Sequence, residues 1–129
     1  MGTRRFKILI VEDNDTYRAT LKNLLSQRFP EMQFEETKNG EETLAIINYF
    51  NPDIIFMDVV LPGQSGFEVT QKVRASGYEV VIIIMTSYDM PAYREAAKKY
   101  GADYFVSKGT SSASEIISLV DATISVLSS

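Results

Sequence analysis

Five short runs rich in β-branched residues, separated by stretches of helical period, constrain this chain more than any other feature. The runs cover residues 6–11, 33–37, 53–57, 80–85 and 102–107. Such alternation specifies a parallel sheet whose strands are joined by crossover helices. The run at 80–85 is apolar at every position, so both of its faces must be covered. A five-stranded, doubly wound α/β sandwich with five helices is expected.

The helical stretches carry their own punctuation. Tyr17, Leu21, Leu24, Leu25 and Phe29 draw one apolar face, and Pro30 stops the helix. Asn39-Gly40-Glu41-Glu42 opens a second helix with a cap and first-turn acids; Leu44, Ile47 and Phe50 are its inner face, and Asn51-Pro52 ends it. A third runs from about Ser65 through Val69 and Val73 and stops near Gly77. A fourth starts at Pro91 with a thin, mostly alanine face. The last starts at Ser112, where Glu115 completes a capping box, and repeats Ile117, Val120, Ile124 and Leu127 along one stripe. The serine-rich end is expected to fray.

At 129 residues, 45% of them hydrophobic, residues 1–129 read as one domain with a real core. No Cys and no His are present, which excludes disulfides, Cys/His metal sites, Ser-His-Asp and Cys-His mechanisms, and a phosphohistidine on this chain. Chemistry must rest on carboxylates, hydroxyls and lysines. Seventeen acids against thirteen bases give a net charge of −4, which argues against direct contact with nucleic acid. The longest apolar run, 80–85, is far short of the ~20 residues that span a bilayer. No signal peptide is recognisable at the N-terminus, so a cytoplasmic protein is expected.

Ligands of doubly wound sheets bind at the carboxyl ends of the strands. There stand Glu12-Asp13, Asp58, Thr86 and Lys108. Carboxylates gathered at one rim repel by about 4 kcal/mol per pair at 4 Å and an effective dielectric near 20, so a cation is expected among them. Oxygen-only ligands suit Mg²⁺, and Mn²⁺ is compatible. Magnesium leaves positions open for a phosphoryl group, and Asp58, presented before the Pro62-Gly63 turn, is the natural acceptor. Thr86 would hydrogen-bond a phosphoryl oxygen and Lys108 would supply a point charge.

With Glu12-Asp13, Asp58 followed by Pro62, Gly63 and Gly66, Thr86, Gly101-Ala102-Asp103 and Lys108 in this order, the whole chain resembles a response-regulator receiver domain of two-component signalling. The resemblance implies a flavodoxin-like fold with strand order 2-1-3-4-5. It implies Asp58 as phosphoacceptor, and Asp13, Asp58 and the Val60 backbone carbonyl on Mg²⁺, with Glu12 direct or through water. Thr86 and Lys108 would bind the phosphoryl group, and Thr86 with Phe105 would form the switch. The implied donor is a sensor histidine kinase or phosphotransfer protein. The output partner would be met through the fourth helix, fifth strand and fifth helix, and a phosphorylation-dependent dimer is compatible. Such a chain is a signalling phosphoacceptor that promotes its own phosphorylation and dephosphorylation, not an enzyme acting on a separate substrate.

Each residue also has an ordinary reading: strand-end solvation and capping for Glu12-Asp13, a turn for Asp58, a loop start for Thr86, a surface charge for Lys108 and core for Phe105. Their joint order favours the functional one. Gly109 stands where the family usually has proline, so a trans Lys108–Gly109 bond is expected. Ser87 replaces the usual alanine and Phe105 the common tyrosine. Val60 and Tyr88 flank the route of an attacking water, and their bulk implies slow self-dephosphorylation. Tyr93, Tyr100 and Tyr104 read either as a partner surface or as half-buried packing. The competing function is a receiver-like docking module that works without phosphorylation. A dinucleotide or flavin site is disfavoured because 63–66 lacks the first-loop G-x-G-x-x-G register, and a haloacid-dehalogenase-type phosphatase because position 60 is valine.

Overall fold

The computed structural model describes residues 5–128. In chain order the elements are β1 (Lys7–Val11), α1 (Asp15–Arg28), β2 (Gln33–Thr37), α2 (Gly40–Phe50), β3 (Ile54–Asp58), α3 (Gly66–Ala75), β4 (Val81–Thr86), α4 (Pro91–Tyr100), β5 (Tyr104–Ser107) and α5 (Ala113–Leu127). The strands form one sheet in the order β2-β1-β3-β4-β5, and every neighbouring pair is parallel. This is the expected flavodoxin-like arrangement.

The period of two along the strands divides the core. Leu9, Val11, Ile55, Met57, Ile82 and Ile84 face one side, where Ile47, Val69, Val73 and Ala97 of α2, α3 and α4 cover them. Ile8, Ile10, Ile54, Phe56, Ile83 and Met85 face the other, beneath Leu21 and Leu25 of α1 and Ile116 and Val120 of α5. Strands β1, β3 and β4 are therefore buried on both faces, as their unbroken apolar runs require.

The helix starts follow the capping signals. Asn39 caps α2, and capping boxes at Ser65–Glu68 and Ser112–Glu115 open α3 and α5. Helix α4 starts on Pro91 without a side-chain cap and buries only Ala97, so its packing face is as thin as expected. It ends on Gly101 in the left-handed region, φ +102°, where a Cβ would also meet the Arg74 side chain.

Strands β1, β3, β4 and β5 start one or two residues later than the sequence reading, and β3 and β4 end one residue later. Asp53, just before β3, still carries ladder bonds, its N–H donating to the Lys7 carbonyl at 2.8 Å and its carbonyl accepting the Val81 N–H at 3.1 Å, while its carboxylate accepts the Lys7 N–H at 2.9 Å and closes that end of the sheet. Residues 102 and 103 precede β5 because the Asp103 carboxylate accepts the Ile82 N–H and pairs with Arg74. The stripe of α5 is also corrected: the buried positions are Ile116, Val120 and Thr123, while Ile117, Ile124 and Leu127 are only half-buried. Ser129, part of the serine-rich end expected to fray, lies outside the described residues. Among the described residues no peptide bond is cis, in keeping with the expected trans link at Gly109, and no helix is long and apolar enough to cross a membrane.

Candidate functional site

Because all strands run the same way, their carboxyl ends share one rim, and the register sets what meets there. Val11 pairs with Met57, Asp58 with Met85, and Thr86 with Ser107. Glu12 and Lys108 are each the next residue beyond a strand end. Backbone bonds continue the sheet one step further, Val59 N–H to the Met85 carbonyl at 3.1 Å and Lys108 N–H to the Thr86 carbonyl at 2.9 Å. Helix α3 packs its first turn directly behind Asp58. The Gly66 N–H donates to the Val59 carbonyl at 2.8 Å, and a Cβ on Gly66 would stand 2.0 Å from the Asp58 carbonyl oxygen.

Three of the expected side chains are brought into direct contact. The Lys108 ammonium lies 2.5 Å from Glu12 Oε1 and 3.3 Å from Asp58 Oδ1. Glu12 is 1% exposed and Asp58 5%. Apart from this ion pair, Glu12 Oε1 has no hydrogen-bond partner among the described residues. Burial pushes the Asp58 carboxyl up to about 7; the neighbouring Glu12 adds to the rise and Lys108 opposes it. The pocket therefore holds more negative charge than one ammonium neutralises.

Thr86 is wholly buried, and its hydroxyl accepts the Tyr88 N–H at 3.0 Å, leaving its own proton to donate. Phe105 is half-buried, with the Arg94 guanidinium carbon 4.5 Å from its ring centroid. Asp89 holds that guanidinium in a fork of 2.7 and 3.0 Å. Sequence reasoning missed this clamp, since a pair five apart across a helix start matches no helical spacing. It also misses Tyr17, whose spacing places it on the core stripe. The ring of Tyr17 does pack on the core, but its other side meets the Lys108 ammonium, 4.7 Å from the ring centroid. A place at the rim end of that stripe was the available signal. Tyr93 and Tyr100 both contact Phe67 at 5.9 Å between centroids, which is packing within the domain, whereas Tyr104 is exposed.

The expected cluster of three converging carboxylates is corrected. Among the described residues no three acidic side chains stand together closely enough to hold a metal ion; Asp13 is exposed, and so is Val60. The Lys108 ammonium is the counter-charge instead. The residues nonetheless fit a divalent ion, because Mg²⁺ takes only one or two carboxylates with waters and phosphate oxygens. Two buried carboxylates share one ammonium, and the Asp58 carboxyl is driven upward in pKa, so the place is short of positive charge.

A family model, the response regulator receiver domain, matches residues 8–121. The chain belongs to this family. It is 29% identical to the chemotaxis protein CheY of Halobacterium salinarum over 79% of this chain and 83% of that one. It is 34% identical to a cyclic di-GMP phosphodiesterase of Thermotoga maritima over 78% of its own length, but it spans only 26% of that protein. Among solved structures it is similar to a two-component response regulator of the LuxR family from Aurantimonas sp. SI85-9A1. The TM-score is 0.86 at 27% identity, covering 95% of this chain and 86% of that one. Receiver domains of this family are signalling phosphoacceptors that bind Mg²⁺ at the phosphorylation site.

Proposed function

We propose that Asp58 is the phosphoacceptor and that it takes its phosphoryl group from a phosphohistidine on a sensor histidine kinase or phosphotransfer protein. The observation that carries this reading is a buried Asp58 carboxylate with the Lys108 ammonium 3.3 Å away and Glu12 beside it. An Asp58 oxygen attacks phosphorus, the phosphorus–nitrogen bond breaks, and the imidazole leaves on the partner. The attacking carboxylate needs no general base once ionised.

Lys108 would face the charge that gathers on the phosphoryl oxygens, and Thr86, whose oxygen accepts the Tyr88 N–H, would donate its hydroxyl proton to one of them. The ion would be held by Asp58 with Asp13 or Glu12, direct or through water, and the Val60 backbone carbonyl, and would offset the charge of carboxylate and phosphoryl group in a Mg²⁺-dependent reaction. Thr86 carries the Tyr88 amide on its oxygen, so a shift of the hydroxyl toward phosphate moves the β4–α4 loop. Phe105 then responds under its Arg94 cover, and the α4, β5 and α5 face changes for an output partner or a second copy of the chain.

Intact mass after treatment with acetyl phosphate and Mg²⁺ tests the reading. One added phosphate is expected, lost in Asp58→Ala and when Mg²⁺ is chelated. A wild-type mass that stays unchanged under all conditions refutes it. The docking-module alternative calls for a degraded pocket, and all five pocket residues are present.

A further inference from the structure

Four residues close a circuit beside Asp58. Glu12 Oε2 accepts the Asn14 N–H at 3.0 Å, and Asn14 Oδ1 accepts the Tyr17 N–H at 2.8 Å as the cap of α1. The Tyr17 ring then meets Lys108 Nζ at 4.7 Å, and Nζ returns to Glu12 Oε1 at 2.5 Å. The two carboxylate oxygens of one buried glutamate thus hold both ends of the circuit.

We propose that Tyr17 is a positioning residue for phosphoryl transfer, its ring face holding the Lys108 ammonium against Glu12 and Asp58. A lysine head sits on a flexible four-carbon stem and makes no planar fork, so by itself it has no fixed direction. The face of an aromatic ring attracts a cation most where water is scarce, and the Lys108 side chain is only 14% exposed. The ring is itself immobilised: its backbone is tied into the α1 cap and its inner side packs on the core that α1 and α5 share. Charge held in place before the reaction is what stabilises charge developing on transfer. Were Tyr17 only the first member of the α1 core stripe, leucine would serve as well, since Leu21 and Leu25 fill that stripe further along.

The inference rests on the phosphoacceptor reading of Asp58, and its test separates the two. The rate at which acetyl phosphate with Mg²⁺ labels Asp58 is followed by intact mass in wild type, Tyr17→Leu, Tyr17→Phe, Lys108→Met and the Tyr17→Leu/Lys108→Met double variant. Tyr17→Leu is expected to label about tenfold more slowly, the equivalent of one desolvated cation–ring contact, and Tyr17→Phe to restore most of that rate. With Lys108 replaced, Tyr17→Leu should cause no further slowing, because the ring then has nothing to hold. Thermal melts check the fold, and Tyr17→Met replaces Tyr17→Leu if the latter does not unfold cooperatively. Wild-type labelling in Tyr17→Leu, a Phe variant as slow as the Leu variant, or equal slowing in both Lys108 backgrounds overturns the inference while leaving Asp58 as acceptor. No labelling of the wild type overturns both.

Discussion

Lys108 and Glu12 form a 2.5 Å ion pair in which the glutamate is buried and the lysine nearly so. A buried pair of this kind adds little net stability over an apolar pair, but its halves cannot be separated cheaply. Lys108→Met leaves the buried Glu12 without the ammonium that faces Oε1. Urea titration at pH 7 should show a loss of about 3–5 kcal/mol, and Glu12→Gln added to Lys108→Met should recover most of it. An unchanged midpoint in Lys108→Met would mean that the ammonium does not neutralise this pocket.

Asp58 carries a pH dependence whose sign is set by its raised carboxyl. The folded state holds the proton up to about 7, against 3.8 for the ordinary group, so the ionised form costs stability. That cost is absent below the unfolded value, grows between there and about pH 7, and is complete above it. Asp58→Asn should therefore stabilise the domain at pH 8 and should give no advantage at pH 3.5. Mg²⁺ should reproduce part of the gain at pH 8 in wild type and little of it in the variant. Denaturant midpoints across this range measure both, and equal gains at pH 4 and pH 8 would contradict the assignment.

Much of this architecture was legible because parallel topology carries strand ends to one rim whatever the side-chain details. Glu12, Asp58, Thr86 and Lys108 could be placed together from strand order alone. What could not be read was the side chain answering each charge. Asp13 and Lys108 each lie one or two residues past a strand end, yet one is exposed while the other turns into the pocket as the cation. Helix α5 misled for another reason. Thr123 is buried because its hydroxyl donates to the Leu119 carbonyl at 2.8 Å, and Thr70 of α3 does the same to Gly66. A threonine satisfied within its own helix packs like a β-branched apolar residue, so a tally of apolar positions passes over it. Arg74 was equally silent: its guanidinium bonds the carbonyls of Gly101, Tyr78 and Val80 as well as Asp103, contacts that exist only after folding.

Gly66 sits where α3 touches the acceptor strand more closely than any side chain permits. Its missing Cβ would lie 2.0 Å from the Asp58 carbonyl oxygen, a backbone atom that cannot rotate away. Gly66→Ala must push α3 off β3, with an expected cost of about 2–3 kcal/mol, the upper range for overpacking. Labelling of Asp58 should fall with it, since the acceptor's own peptide is displaced. A variant with an unaltered melting temperature would show that the contact relaxes freely.

The lifetime of a phosphoryl group on Asp58 should depend on two exposed apolar residues at the mouth of the pocket. Val60 is 60% exposed two positions after the acceptor, and Tyr88 is 54% exposed two positions after Thr86. Tyr88 is steadied by its amide bond to the Thr86 hydroxyl and by the Tyr93 ring, 6.0 Å away between centroids. Neither side chain supplies a general base for the attacking water: valine has no polar atom, and a phenol is a far weaker proton acceptor than a carboxylate. Val60→Asn supplies an amide, and Tyr88→Glu a carboxylate that can accept a proton from the attacking water. Each should hasten loss of phosphate from labelled protein by about tenfold, and the pair together by more than either alone, because general-base help and water placement act on the same step. Phosphate release from protein freed of acetyl phosphate, followed at constant Mg²⁺, reads the rate directly. Equal or slower decay in both variants would show that access of water is governed elsewhere, with the Tyr17 side of the pocket the next place to look.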